Sequence, residues 1–188
     1  MYTASTAKST KSFYSIGHSN RQQSDFIELL RKNKITVLVD VRTMPRSRAN
    51  PQFNTDVLSE ALNEVGIKYV RYESLAGFRK KRNDIDPDVN GFWENQSFHN
   101  YADYALTPEF ESGLLDLIDL GKKETVAMMC AEVVWWRCHR RIITDYLLAG
   151  GARVYHIIDK SPAKPAVRNK AAKKVRNGGL VYPLQDKI

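Results

Sequence analysis

Apolar and polar positions along the chain alternate between two periods, one near two residues and one near three and a half. Phe13-Tyr14-Ser15-Ile16-Gly17 reads as a short strand that stops at His18-Ser19-Asn20. Ser24 stands where a helix N-cap belongs, ahead of an apolar face made by Phe26, Ile27, Leu29 and Leu30. Residues 35–41 are nearly all apolar and rich in valine, the pattern of a strand buried on both faces. Strand, helix and strand with short connections form a βαβ unit, which requires parallel pairing.

The alternation repeats. Val57, Leu58, Ala61, Leu62 and Val65 mark a helix closed by Gly66, followed by a strand over residues 67–72. Residues 79–98 are long and polar, carrying Arg79-Lys80-Lys81-Arg82, Pro87 and Gly91, as expected of a lid or binding loop. Residues 101–106 read as helical. Thr107-Pro108 then supplies a cap and a first-position proline for a helix buried through Phe110, Leu114, Leu117 and Ile118. Two more strands (125–129 and 154–158) flank a helix predicted over 138–149. These elements predict an α/β fold: a three-layer αβα sandwich with a mostly parallel sheet of about five strands.

Charge divides the chain. Residues 160–188 hold eight Lys/Arg against Asp186 alone, whereas the rest of the chain is nearly neutral. The expected organisation is therefore a flexible N-terminal lead-in (1–12), a core domain (13–159) and a basic C-terminal segment (160–188). Pro165, Val167, Ala171, Val175 and Gly178-Gly179 predict a basic helix in that segment. No apolar run is long enough to span a bilayer, so no membrane partner is expected. Residues 1–12 lack the apolar stretch of a secretory signal, and two cysteines do not make a disulfide framework, which together predict a cytoplasmic protein.

In a parallel αβα sheet, the loops after the strand C-termini share one edge, and ligands bind there. The residues at those ends are His18 and Ser19; Asp40, Arg42, Arg46, Ser47 and Arg48; Gly77; and Cys130, Glu132, Cys138, His139 and Arg140. Arg42, Arg46 and Arg48 could fork onto phosphate oxygens, with Asp40 orienting one of them and Ser47 adding a donor. Equally, the arginines fit a solvated loop. Cys130 is a candidate nucleophile with His18 or His139 as base, and Glu132 a candidate proton carrier. Cys138, read in the first turn of a helix between Arg137 and His139, could carry a depressed thiol pKa. Packing alone would also explain two cysteines. The Cys130–Arg137 spacing is one residue too long for a tyrosine-phosphatase loop. The seven-residue gap between the cysteines is no zinc spacing, so neither metal nor cofactor is expected. His156 reads as a hydrogen-bonded core histidine. Trp135 and Trp136 fit stacking on a base or sugar as well as a core cap with a homodimer contact.

Ser15-Ile16-Gly17-His18-Ser19, Asp40-Val41-Arg42 with Pro45 and Ser47-Arg48, Leu75-Ala76-Gly77, Tyr101-Ala102-Asp103-Tyr104, Met129-Cys130-Ala131-Glu132 and Cys138-His139-Arg140 together resemble the family called domain of unknown function 488. The resemblance runs in order over residues 13–158. It implies an αβα core and a shared strand-end site, with no settled activity attached. Two positions depart from the family pattern: Ala76, where a second glycine is frequent, and Trp135, where the cysteine loop often holds proline.

The leading functional expectation is an enzyme acting on a phosphate-bearing small molecule or nucleic acid at this edge. The first alternative is a non-catalytic nucleic-acid-binding module using the basic C-terminal segment. The second is a thiol redox or sensor protein using Cys130 and Cys138.

Overall fold

Two apolar clusters, one on each side of a sheet, account for the nearly continuous apolar strands. In the computed structural model, which describes residues 12–176 and 178–184, Val37, Val39, Val126, Met128 and Val154 point into one cluster and Leu38, Ala127, Met129 and Ile157 into the other. The strands are β1 (Ser12–Gly17), β2 (Val37–Asp40), β3 (Lys68–Arg71), β4 (Val126–Cys130) and β5 (Arg153–Ile157). They run parallel in the order β3-β2-β4-β1-β5, and a two-residue strand, β6 (Lys164–Pro165), joins β5 antiparallel. The predicted αβα sandwich is thus present, with six strands in its sheet. Of the expected lead-in at 1–12, only Ser12 falls among the described residues, and it opens β1.

The helices divide by face. α1 (Gln23–Lys32) and α2 (Thr55–Glu64) bury Phe26, Leu29, Leu30, Leu58 and Leu62 in one cluster. α3 (Gln96–Tyr104), α4 (Pro108–Lys123) and α5 (Arg140–Ala149) bury Tyr101, Phe110, Leu114, Leu117, Ile142, Ile143 and Leu147 in the other. The chain therefore leaves β1 toward one face and the adjacent β4 toward the opposite face. Such a point opens a crevice between strand tips, the position where ligands of open α/β sheets bind. Among the described residues, no helix is long and apolar enough to cross a membrane.

Several local expectations differ in detail. α1 begins at Gln23 and has no side-chain cap, so Ser24 lies inside the helix. Thr107 does cap α4, its hydroxyl accepting the Phe110 N–H at 3.3 Å. α5 starts at Arg140, because the Cys138 N–H closes a single 3-10 turn on the Trp135 carbonyl and leaves Cys138 extended ahead of the helix. Residues 79–98 are fastened down and do not form a free lid. Arg79 donates to the Ala76 and Glu73 carbonyls, and buried Asn90 joins the Asp103 carboxylate at 2.8 Å to the Tyr182 N–H at 3.0 Å.

The C-terminal basic helix is not formed. In its place are β7 (Lys173–Lys174) and β8 (Leu180–Val181), an antiparallel pair. Ala171 and Ala172 are both buried, whereas Val167, which the helical spacing placed on the apolar stripe, is 78 % exposed. Asn169 decides the local conformation. Its N–H reaches Asp145 at 2.8 Å, and its own side chain and carbonyl accept the N–H groups of Ala171 and Ala172. This Asx turn outcompetes a helix with so thin an apolar stripe. The segment contributes four residues to the core, Ala171, Ala172, Leu180 and Tyr182; Tyr182 is fully buried, donates to Asp145 at 2.9 Å and packs on Trp93. Tyr182→Ala is expected to cost about 3–5 kcal/mol, while Val167→Ala stays within about 0.5 kcal/mol. Urea denaturation of the two variants beside the parent measures both.

Candidate functional site

The β1, β2 and β4 tips are sewn together by backbone hydrogen bonds that continue past the strand ends. His18 and Ser19 donate to the Cys130 and Ala131 carbonyls at 3.0 and 2.8 Å, and Val41 donates to Met129 at 3.0 Å. Gly17 is obligatory here, since a Cβ at that position would stand 1.9 Å from the Glu132 carbonyl oxygen. His18, Asp40, Arg42, Cys130, Cys138, His139 and Arg140 therefore share one edge. They do not share one pocket.

On the α1/α2 side, Asp40 is completely buried and takes its counter-charge from Arg42, which is 5 % exposed. Arg42 Nε lies 3.0 Å from both carboxylate oxygens and Nη2 2.6 Å from Oδ2, while its backbone N–H donates to Oδ1 at 2.9 Å. Tyr69 adds its hydroxyl to Oδ2 at 2.5 Å. The remaining guanidinium nitrogen, Nη1, meets His18 Nε2 at 3.1 Å. His18 Nδ1 sits 2.7 Å from the Ser19 carbonyl and must donate to it, so Nε2 is the acceptor and the ring is neutral. Burial, the Ser19 bond notwithstanding, together with the Arg42 charge lowers its pKa to about 4. Burial and the bond to Asp40 raise that of Tyr69. The ring also stacks on Phe53 at 4.3 Å.

This arrangement corrects two expectations. Arg42 is not an anion clamp alongside Arg46 and Arg48: a carboxylate buried in a sheet needs a partner, and Arg42, on the same face of the chain, folds over it. His18 has both nitrogens committed and is not placed as a base. Ser19 adopts a positive φ of 49° and turns its hydroxyl toward Asn20.

On the α3/α5 side are the sulfurs. Cys130 ends β4 partly exposed, and Cys138 is 4 % exposed. The Sγ atoms of both and a ring nitrogen of His139 lie within 4.8 Å of one another. Arg140 Nε donates to Cys138 Sγ at 3.2 Å, and His139 Nδ1 is 3.6 Å from it. Burial raises the Cys138 pKa, but the Cys130 thiol, Arg140 and His139 outweigh it and hold Cys138 well below the ordinary thiol range. The same shared hydrogen bond, with burial, pushes Cys130 up. Arg140 is fully buried and its guanidinium also holds Ser15 Oγ at 3.2 Å and the Glu132 carbonyl, so it braces the cysteine loop and is closed to substrate. His139 Nε2 points at the Val41 carbonyl, 3.0 Å away. Gly77 packs on the same ring, where a Cβ would approach Nδ1 to 2.7 Å. The Glu132 side chain is exposed.

Arg46, Ser47 and Arg48 form a third group. With Met44, Pro51 and Asn54 they line an open cleft of about 660 Å³. Ser47 is locked by Asn54 and by the Ala49 and Asn50 N–H groups. The loop that carries them starts at Val41 beside His139 and is tied to Gly77 through the Thr43 hydroxyl.

A family model matches residues 22–147. The chain belongs to the family Domain of unknown function DUF488. No curated protein and no solved structure matches it. The DUF488 match takes in the β2 tip, the arginine loop, Gly77 and the whole sulfur cluster. It leaves out His18 and everything from β5 onward.

Tyr69, Phe53, Ser15, Asn54 and the Val41 carbonyl complete these clusters and escaped sequence reasoning. Tyr69 shares the inward face of Leu38 and Asp40 only once the β2–β3 register is known. His156 carries a further correction. It is 3 % exposed and lies flat on Trp135 at 4.3 Å, but neither ring nitrogen has a hydrogen-bond partner among the described residues.

Removing Asp40 strands a buried guanidinium, so Asp40→Ala is expected to cost about 3–5 kcal/mol, and Asp40→Leu with Arg42→Met to cost less; urea denaturation of both tests this. His156 has a pKa of about 4, lowered by burial and by Arg140. The unfolded chain takes up that proton below about pH 6.5, whereas the native ring stays neutral down to about pH 4. Stability therefore falls with pH across this window by roughly 2–3 kcal/mol on account of this ring. His156→Phe, measured by denaturation at pH 7 and pH 4.5, is expected to lose that share of the pH dependence.

Proposed function

We propose that the chain is an enzyme acting on a phosphate-bearing substrate, a nucleotide or a nucleic-acid phosphate, bound at the strand C-terminal edge. The observation that carries this reading is the cleft of about 660 Å³ with Arg46 and Arg48 on its wall. Both guanidiniums are exposed, and no described acid or carbonyl pairs with them, unlike Arg42 and Arg140. Free, closely spaced arginines suit bidentate contacts to phosphate, and the volume suits a nucleotide-sized ligand. At the other end of the same loop stand the groups suited to chemistry: Cys130, Cys138, His139 and the exposed Glu132 carboxylate. Two free cysteines side by side fit a reducing, cytoplasmic setting.

A second reading, phosphate-backbone binding by the C-terminal segment, is supported by the exposure of Lys164, Arg168, Lys170, Lys173, Lys174 and Arg176. Truncation is the wrong tool for separating the two, because it removes Tyr182 from the core. Substitution of the lysines keeps the fold.

Thermal shift with nucleotides, short oligonucleotides and inorganic phosphate tests the first reading. A ligand at about a hundred times its Kd stabilises by about 2.7 kcal/mol, or roughly 5–10 °C in a domain of this size. Arg46→Ser with Arg48→Ser is expected to abolish the shift. A parent that responds to none of these ligands, or a double variant that responds like the parent, removes the proposal. Binding that survives the arginine double but disappears with Lys173→Ser and Lys174→Ser selects the second reading.

A further inference from the structure

We propose that Cys130, Cys138 and His139 form a zinc site with one open coordination position, a feature distinct from the arginine cleft. Three ligand atoms from two separate segments converge: Cys130 Sγ from the end of β4, and Cys138 Sγ and a ring nitrogen of His139 from the lead into α5, all within 4.8 Å of one another. A tetrahedral zinc with ordinary bond lengths holds sulfur and nitrogen ligands about 3.5–3.8 Å apart. The Cys138 Sγ to His139 Nδ1 separation is already 3.6 Å. The remaining closure, from separations of at most 4.8 Å, is about 1.3 Å or less.

The orientation of His139 is the second, independent observation. Its Nε2 faces a carbonyl, Val41 O at 3.0 Å, and a carbonyl only accepts. Nε2 therefore carries a hydrogen, and on metal binding Nδ1 gives up its own proton and turns its lone pair to the sulfurs. A backbone carbonyl fixing the far nitrogen is how metal-binding histidines are set. Gly77, lacking a Cβ, lets its backbone pack closely against the ring. Charge also closes: two thiolates neutralise the dication, and the Arg140 Nε–H at 3.2 Å supplies an N–H···S bond to Cys138 from outside the ligand set. Sequence spacing argues against zinc because it assumes that both cysteines come from one knuckle. Here a strand end and the lead into a helix are brought together by the sheet.

Sulfur and imidazole donors select zinc over magnesium or calcium. Among the described residues, no further His, Cys, Asp or Glu joins the group. Cys130 and His139 are its partly exposed members and Cys138 is buried, so the fourth position opens on the side of the first two. Three protein ligands and a water make a catalytic rather than a closed structural site, and the bound water is the group that zinc would activate.

The test uses the full, reduced chain, stripped with chelator and dialysed against limiting zinc. Elemental analysis is expected to find one zinc per chain, and Co²⁺ in its place to give the intense near-ultraviolet thiolate charge-transfer band. Changes to groups that merely support a ligand cost about 10–100-fold in affinity. Cys130→Ser, Cys138→Ser and His139→Gln are therefore expected to weaken zinc by more than about 100-fold, and His99→Gln, remote from the cluster, to leave it unchanged. The parent's cobalt spectrum does not depend on any variant folding. A parent that retains no zinc, or a cobalt complex without thiolate bands, overturns the proposal. The arginine cleft is untouched by these substitutions, so its phosphate response reports separately.

Discussion

The structure depends on hydrogen bonds that continue the parallel ladder beyond the ends of its strands. At the β4 tip, the carbonyls of Met129, Cys130 and Ala131 receive the N–H groups of Val41, His18 and Ser19. A buried loop cannot leave such groups unpaired, and pairing them fixes three loops from distant parts of the chain to within an ångström or so. The sulfur cluster and the Asp40–Arg42 pair sit where they do because this stitching leaves their side chains nowhere else to go. Gly17 is part of the same constraint: only a residue without Cβ lets the cysteine loop close over β1.

Polarity at this edge serves two different ends. Asp40, Arg42, His18 and Tyr69 form a closed set in which almost every donor has an acceptor, and His18 is held neutral within it. Such a set specifies geometry at a desolvation cost and offers nothing to a ligand. Arg140 plays the same part for the cysteine loop. Among the described residues Arg46 and Arg48, by contrast, pair with no acid or carbonyl, and the Cys130–Cys138–His139 cluster keeps a ring nitrogen and two sulfurs facing one another. Counting charged residues at strand ends cannot separate these cases, because the difference lies in whether the counter-charge is already present.

How much of this is legible in the sequence follows from the same distinction. The αβα class, the parallel sheet and the shared edge come from apolar runs and short connections, local properties that tertiary contacts only reinforce. The Thr107–Pro108 helix start is legible for the same reason. The C-terminal segment is not: its helical spacing was thin, and the contest was decided by Asn169 reaching Asp145 and by Tyr182 filling a slot beside Trp93. Arg42 misleads because a sequence shows three arginines in seven positions without showing that one faces a buried carboxylate. Tyr69 is invisible until the β2–β3 register is fixed.

The sulfur cluster shows the opposite failure, in which a local rule hides a real juxtaposition. Metal spacing rules describe ligands that share a turn, so seven residues between two cysteines reads as a mismatch. In an open α/β sheet, the crevice between β1 and β4 is built from a strand end on one side and a helix lead on the other, and residues separated by a whole loop are returned to contact. The DUF488 match takes in Cys130 before the loop and Cys138-His139 after it, and Arg140 fastens the loop back to Ser15 of β1. The loop between the cysteines is therefore the spacer that lets two ends of one crevice meet. Seven residues run between two positions whose sulfurs stand within 4.8 Å of each other, so nearness in space does not show as compact spacing in the sequence.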